Sequence, residues 1–152
     1  MIYRQIDQST VTSLGNTKGA YVFVFLLVCP TEVTLRGRLR ATLLPGWYLY
    51  CGSANGPGGM QSRLKRHFRR DKKIHWHIDR LTTEAADIMA YAFEGGSECK
   101  LVRQLCTTGD FRHVIAGFGS SDCHACESHL LMPRLPMNGG RDSVNERLRG
   151  FF

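Results

Sequence analysis

The run GAYVFVFLLV, residues 19–28, is the feature that most constrains how this chain can fold. It is rich in β-branched and aromatic residues and lies between Gly19 and Pro30, a composition that is typical of a strand. Its continuous apolar character predicts that the strand is central and buried. The run is too short to cross a membrane as a helix, and no other apolar run is longer. The sequence therefore predicts a globular domain built around an interior strand.

Other segments predict further strands and helices around this run. TEVTLRGRLRATLL, residues 31–44, alternates apolar and cationic positions and precedes the turn pair Pro45-Gly46. This alternation predicts a half-exposed antiparallel strand, or two short strands around Gly37. Composition and periodicity predict strands in 47–53, 87–93 and 113–119, and helices that begin after Gly59, at residue 76 and near Ser97, the last ending at Gly109.

This order of elements predicts an α/β fold. We expect an α+β sandwich in which a small, mainly antiparallel three-stranded central sheet is flanked by helices. Residues 1–18 are polar and weakly patterned, which predicts an N-terminal arm. Pro, Gly, Asn and Arg dominate residues 132–152, a composition typical of a flexible C-terminal tail. One domain, residues 19–131, is predicted between the arm and the tail.

The charge balance indicates a class of partner. Lysine and arginine outnumber aspartate and glutamate by 20 to 13, and the formal net charge is +7. This balance favours polyanions, and nucleic acid over membrane because no basic amphipathic helix of useful length occurs. The N-terminus MIYRQIDQST lacks a basic segment followed by an apolar stretch, so we expect no secretory signal and a cytoplasmic protein.

A set of chemically active residues follows this framework in a fixed order. It comprises Gly19-Ala20-Tyr21 in the first strand, Tyr50-Cys51-Gly52 in a later strand, Arg63 and His67 one helical turn apart, and Glu98 at the start of a further helix. With these two tripeptides and the Arg-then-His pair, residues 19–130 resemble the GIY-YIG nuclease superfamily. The stretches YCGSANGPGG, RLKRHFRRDKKIHWHID and GFGSSDCHACESHL are similar to its stand-alone Uri-type branch.

The resemblance implies a GIY-YIG-like fold and hydrolysis of DNA phosphodiester bonds with one divalent ion, Mg²⁺ or Mn²⁺. By this resemblance Glu98 binds the metal, Arg63 contacts the phosphate, and Tyr21 acts as general base or orients the attacking water. Tyr50 would position the phosphate and His67 would relay a proton. These residue types suit the reaction, because a carboxylate is a hard ligand and a guanidinium is a planar donor to phosphate. The late asparagine of many superfamily members has no counterpart.

Each of these residues also has an ordinary structural interpretation. Tyr21 and Tyr50 could be strand aromatics packed in the core. Arg63 and His67 could lie on a solvated helix face, and Glu98 could favour a helix N-terminus through the helix dipole. Glu94 is a rival carboxylate for the metal.

The helix and the segment after it supply candidate DNA contacts. We expect phosphate contacts or solvated charge from Lys65, Arg66, Arg69 and Arg70. In the sequence HWHID, Trp76 could stack on a base, and His75 or His77 could contact phosphate. The alternative interpretation of this cluster is interior packing and helix capping. Whether the DNA is single-stranded, duplex or branched stays open.

Six cysteines in a cytosolic chain do not predict a disulfide scaffold. The spacing Cys123-x-x-Cys126-x-x-His129 resembles that of zinc ligands, with His113 or His124 as a fourth donor to a structural zinc ion. The alternative interpretation is a buried turn, and a redox pair lacks the expected strand-and-helix context.

Two further functions compete with the nuclease. One is a non-catalytic nucleic-acid-binding module on the same fold, and the other is a zinc-stabilised interaction domain. Metal-dependent cleavage of DNA would separate the nuclease from both.

Overall fold

The computed structural model describes residues 2–35, 37–121 and 123–152. Over these residues the strands are β1 (Arg4–Ile6), β2 (Gly19–Leu27), β3 (Thr31–Leu35), β4 (Leu39–Leu43), β5 (Gly46–Ala54), β6 (Asp87–Glu94), β7 (Phe111–His113) and β8 (Leu130–Pro133). The helices are α1 (Gly59–Phe68), α2 (His77–Glu84), α3 (Glu98–Thr107) and α4 (Arg141–Arg149), with a short 3₁₀ helix at Val11–Leu14.

Six of the strands form one antiparallel sheet in the order β1-β6-β2-β5-β8-β7. The predicted α/β class and antiparallel pairing are therefore confirmed, whereas the predicted three-stranded sheet is wrong. Strand β2 pairs with β5 on one side and with β6 on the other, which gives the three central strands. The sheet is wider because β1 adds to the free edge of β6, and β8 and β7 add beyond β5.

Helices cover both faces of this sheet. Alternate residues of β2 enter two separate apolar clusters, with Tyr21, Phe23 and Phe25 on one face and Val22 and Val24 on the other. The first face packs against α1, α2 and the β3–β4 hairpin, and the second packs against α3 and α4. Burial on both faces explains why the sequence of β2 is continuously apolar.

The two short strands predicted around Gly37 are present as the β3–β4 hairpin. Gly37 has a φ of +67°, a conformation that glycine adopts without strain. Arg36, in the middle of this predicted segment, lies outside the described residues.

Both predicted terminal extensions belong to the folded domain. Strand β1, in the predicted arm, pairs with β6, and the 3₁₀ helix buries Val11 and Leu14. The prediction of a flexible tail at 132–152 is wrong, because α4 buries Val144 and Leu148 against the second face of the sheet. A polar average composition concealed these apolar positions one helical turn apart.

The strand predicted over 113–119 is also misplaced. Strand β7 ends at His113, and residues 114–121 and 123–129 form no strand or helix, with a φ of +57° at Ile115. The loop returns the chain to β8, which pairs with β5 and β7. Within the described part of the chain, no helix combines the length and the apolar character that crossing a bilayer requires.

Candidate active site and metal centre

Tyr21 and His67 meet beneath α1. The Tyr21 hydroxyl lies 2.6 Å from His67 Nε2, a hydrogen bond between β2 and the last turn of α1. The two side chains are each only 1% exposed. The hydrogen bond thus joins two of the residues that the motifs singled out. The burial argues against the expectation that Tyr21 itself meets a nucleophilic water.

The glycine of the Tyr50-Cys51-Gly52 tripeptide has a steric role in this contact. Gly52 pairs with Tyr21 across the β2–β5 ladder, so the Tyr21 ring crosses directly over the glycine. A Cβ atom at Gly52 would lie 2.4 Å from the Tyr21 hydroxyl oxygen. The tripeptide therefore needs glycine to make room for the buried phenol.

The Tyr21–His67 pair is uncharged at neutral pH. Burial lowers the pKa of His67 from 6.5 to about 3, and the positive charge of Lys72 lowers it further, while Asp79 acts in the opposite direction. Burial also raises the pKa of Tyr21 well above 10. A neutral imidazole and a neutral phenol can share one proton in this hydrogen bond, with the donor set by the imidazole tautomer.

Tyr50, Arg63 and Glu98 lie around this pair. The pKa of Tyr21, raised chiefly by burial, is raised further by Tyr50 and Glu98 and is lowered by Arg63, so all three lie within electrostatic range of the phenol. Tyr50 is half-buried, with its ring centroid 6.4 Å from that of His67. Arg63 and Glu98 are also half-buried. Tyr21 and Tyr50 therefore both contact His67, while Arg63 and Glu98 lie within electrostatic range of the Tyr21 phenol.

Glu98 enters this region from the opposite face of the sheet. It is the first residue of α3, whose apolar side chains pack on the second face. The rival carboxylate, Glu94, is exposed at the end of β6, where it pairs with Gly19. Of the two carboxylates, it is Glu98 that acts on the pKa of Tyr21.

A groove that includes Arg63 carries positive charge. Its lining includes Arg63, Lys65, Arg66 and Arg69 of α1 or its C-terminal end, together with Trp76 and the 54–59 turn. The Arg63 guanidinium carbon lies 4.2 Å from the centroid of the Trp76 ring. Trp76 is 40% exposed, and its ring contacts both the cations Arg63 and Arg66 and the buried His67 ring, at 6.3 Å between ring centroids.

The remaining predicted DNA contacts divide between this groove and other places. His75 is exposed beside Trp76, whereas the His77 ring packs 5.7 Å from Phe118. Arg70 is exposed but lines a different hollow, near Asp87 and Arg141. Of the four cations after Leu64, Arg70 therefore lies outside the groove and agrees with the alternative interpretation as solvated charge.

Arg66 has a structural partner that the sequence analysis missed. Its Nη2 donates to Asp79 Oδ2 at 2.6 Å, and the same oxygen accepts the backbone N–H groups of His75 and Trp76. Burial acts to raise the pKa of Asp79, but these hydrogen bonds outweigh it and the pKa is lowered. The helix-capping interpretation of HWHID is therefore confirmed for its aspartate, Asp79, which lies in the first turn of α2. A carboxylate in the first turn of a predicted helix was the sequence signal for this role.

Lys72 completes this network and was also missed. Its ammonium group donates to the Arg66 and His67 carbonyls at the end of α1 and to Thr82 Oγ1, and lies 3.9 Å from Asp79. These contacts fix the last turn of α1, which carries His67. Lys72 and Thr82 come together because α1 packs against α2. The spacing of the two residues in the sequence could not reveal this contact.

Three cysteines and one histidine form a separate cluster that could hold a metal ion such as zinc. The donor atoms of Cys99, Cys123, Cys126 and His129 all lie within 4.8 Å of one another. The three residues of the predicted motif are thus joined by Cys99 of α3 rather than by His113 or His124. His113 Nδ1 lies 3.0 Å from the Ser128 carbonyl, and His124 is exposed. No local spacing could reveal Cys99, which is 24 residues from Cys123.

Comparison with known proteins identifies a family. The family described as Domain of unknown function DUF123 matches residues 20–146, which is most of the chain, so the chain belongs to that family. No curated protein and no solved structure matches the chain.

Proposed function

We propose that this member of the DUF123 family is a metal-dependent DNA endonuclease with a site of the GIY-YIG kind. The observation that carries the proposal is the buried hydrogen bond between Tyr21 and His67, with Arg63 within electrostatic range of the phenol. The two bonded residues are separated by 46 positions and belong to different elements, β2 and α1.

The proposed reaction adds water across a phosphodiester bond. The water oxygen forms a bond to phosphorus, the bond to the 3′-oxygen breaks, and that oxygen takes the proton that the water releases. Arg63 would donate to the non-bridging oxygens, where negative charge accumulates. Of the two motif tyrosines, Tyr50 is the one that is half-buried, and it would orient the phosphate or the water.

Tyr21 and His67 are positioning residues in this scheme. Their pKa values are displaced in opposite directions, so transfer of the phenol proton to the imidazole is unfavourable. The pair would instead hold α1 against β2 and so fix Arg63, one turn before His67, above the phosphate. This assignment replaces the expectation that Tyr21 acts as the general base.

Glu98 is the residue that would hold a divalent ion. A single carboxylate is compatible with Mg²⁺ or Mn²⁺, which are commonly bound by one or two carboxylates together with water and substrate phosphate. When bound, such an ion supplies Lewis-acid stabilisation of the leaving oxygen. The chain's own contribution is to present Glu98 at the start of α3, within electrostatic range of the Tyr21 phenol.

The basic groove supports DNA as the substrate. Arg63, Lys65 and Arg69 line it together with the partly exposed Trp76. Cations bind the phosphate backbone, and a tryptophan face can stack on an unpaired base. Arg66 is committed to Asp79 and contributes charge rather than a free guanidinium.

A non-catalytic nucleic-acid-binding module is the second candidate. The burial of Tyr21 favours it, because a phenol that is 1% exposed cannot touch a substrate. Both candidates predict salt-sensitive binding to DNA, and they differ in cleavage.

The test is a cleavage assay with labelled single-stranded, duplex and branched DNA, with Mg²⁺, Mn²⁺ or a chelator. We expect metal-dependent cleavage of at least one substrate, and a loss of about 100-fold or more in Arg63→Ala and Glu98→Gln, since each removes charge stabilisation in the transition state. Arg70→Ala is the matched control, because Arg70 lies outside the groove. Binding without cleavage of any substrate by the wild type would support the second candidate instead.

A further inference from the structure

The Cys99–Cys123–Cys126–His129 cluster joins parts of the chain that are otherwise held apart. Cys99 is the second residue of α3, on one face of the sheet. Cys123 and Cys126 lie in the loop between β7 and β8, and His129 directly precedes β8. The cluster therefore fastens a helix to a long loop of little regular structure.

The separations in the cluster match a tetrahedral metal site. Cys99 Sγ lies 3.3 Å from Cys123 Sγ and 3.9 Å from His129 Nε2, and no two donor atoms are more than 4.8 Å apart. A tetrahedron with Zn–S bonds of about 2.3 Å and a Zn–N bond of about 2.0 Å separates its donor atoms by about 3.5–3.8 Å. The observed values bracket this range.

A disulfide does not account for the geometry. A separation of 3.3 Å is far longer than the S–S bond of about 2.05 Å, and a single disulfide would leave the third thiol and the imidazole unexplained. Three thiols and one imidazole form the soft donor set that selects zinc over Mg²⁺ or Ca²⁺.

Two backbone hydrogen bonds fix the position of His129. Its N–H group donates to the Phe118 carbonyl at 2.8 Å, and its own carbonyl accepts the Cys51 N–H at 3.0 Å. The side chain is 3% exposed. Within the loop, the Cys123 N–H group donates to the Ser120 carbonyl at 3.0 Å.

We propose that Cys99, Cys123, Cys126 and His129 bind one structural zinc ion that fastens α3 to the β7–β8 loop. All four positions of the tetrahedron are occupied by protein, so the site leaves no open position for a substrate. The ion acts on the fold, and this part of the proposal is independent of any nuclease activity.

A second consequence rests on the proposed function. Cys99 directly follows Glu98, and a Cβ atom at Gly119 would lie 2.7 Å from the Tyr50 ring and 3.2 Å from His129 Cβ. The zinc site therefore borders two of the proposed active-site residues. Loss of zinc should displace Glu98 and Tyr50 even though neither binds the zinc.

Metal analysis of the full chain, purified under reducing conditions, tests the site. We expect about one zinc per chain in the wild type and in the control Cys29→Ser, whose cysteine is exposed and outside the cluster. We expect less than half of that in Cys99→Ser and in Cys126→Ser. Replacement of zinc by Co²⁺ should give a thiolate charge-transfer band and the intense visible bands of tetrahedral cobalt.

A second measurement covers the case in which a cysteine variant fails to fold. Alkylation of the wild type, followed by mass spectrometry, should show Cys99, Cys123 and Cys126 protected with zinc and reactive after chelation, while Cys29 reacts in both states. A wild type that binds neither zinc nor Co²⁺, a zinc content unchanged in Cys99→Ser, or a disulfide between Cys99 and Cys123 would overturn the proposal. None of these readouts involves DNA, so failure of the nuclease proposal would leave them unaffected.

Discussion

Gly52 shows at the scale of one residue how a short motif encodes the site. The motif glycine leaves space for a buried tyrosine on the neighbouring strand, since a methyl group there would lie 2.4 Å from the Tyr21 hydroxyl oxygen. The residue identity is therefore explained by packing, independently of any catalytic role for the tyrosine.

Gly52→Ala should destabilise the protein by about 1–3 kcal/mol, because the buried ring must shift to relieve the overlap. Urea unfolding of the purified variant measures the change. Gly56→Ala is the matched control, since a methyl group at Gly56 would meet no atom within 4 Å beyond its chain neighbours, and its effect should stay within about 0.5 kcal/mol. Equal stability of the two variants would show that the ring does not cross Gly52.

His67 gives a second prediction at this scale, through its pKa of about 3 in the folded chain. Below pH 6.5 the unfolded chain takes up a proton on this histidine, whereas the folded chain does not until the pH approaches 3. The free energy of unfolding should therefore fall with decreasing pH across this window, and His67 should contribute about 1.4 kcal/mol per pH unit.

Denaturant titrations between pH 6.5 and 4.5 measure this contribution by comparison with variants. The pH dependence should be weaker in His67→Gln, which lacks the titrating group, and unchanged in His75→Gln, whose imidazole is exposed. Identical pH slopes for the wild type and His67→Gln would contradict a buried, neutral imidazole.

At the scale of elements, sequence patterns predicted the strands and helices whose own residues carry a clear apolar periodicity or turn. The apolar run of β2, the alternation around Gly37 and the periodicity after Gly59 were sufficient to place β2, the β3–β4 hairpin and α1. Strands β1 and β8 were missed because each has only three or four residues and depends on a distant partner strand. Helix α4 was missed because its two apolar residues are diluted by charged ones.

Helix α4 also supports a prediction of its own. Leu148 is fully buried in the cluster on the second face, and the neighbouring Tyr91 hydroxyl donates to Asn145. Leu148→Ala should cost about 2–5 kcal/mol of unfolding free energy, as is usual for a large-to-small change in a core. Thermal or urea unfolding measures the loss.

Glu146→Ala provides the control for this helix, because Glu146 is exposed on the same element. Its effect should stay within about 0.5 kcal/mol. If Leu148→Ala were equally neutral, the 141–149 segment would behave in solution as the flexible tail that composition alone suggests.

At the scale of the whole molecule, the sheet brings together residues that are distant in sequence. The pairing of β2 with β5 sets the two phenols on one face, and α1 adds Arg63 and His67 above them. Each of these four residues was singled out by the motif order, and each lies at a fixed place on a strand or helix. Lys72, Asp79 and Cys99 were not indicated, since their contacts depend on how helices and loops pack.

The most direct test of the account is the single-turnover cleavage rate of Arg63→Ala relative to Lys65→Ala, measured on the best DNA substrate with Mg²⁺ or Mn²⁺. Both variants remove one positive charge from the same groove, so both should weaken DNA binding to a similar extent. We expect a rate at least about 100-fold lower for Arg63→Ala at saturating protein, and a rate near that of the wild type for Lys65→Ala. Equal cleavage rates for the two variants would contradict a phosphate-activating role for Arg63 and with it the proposed site.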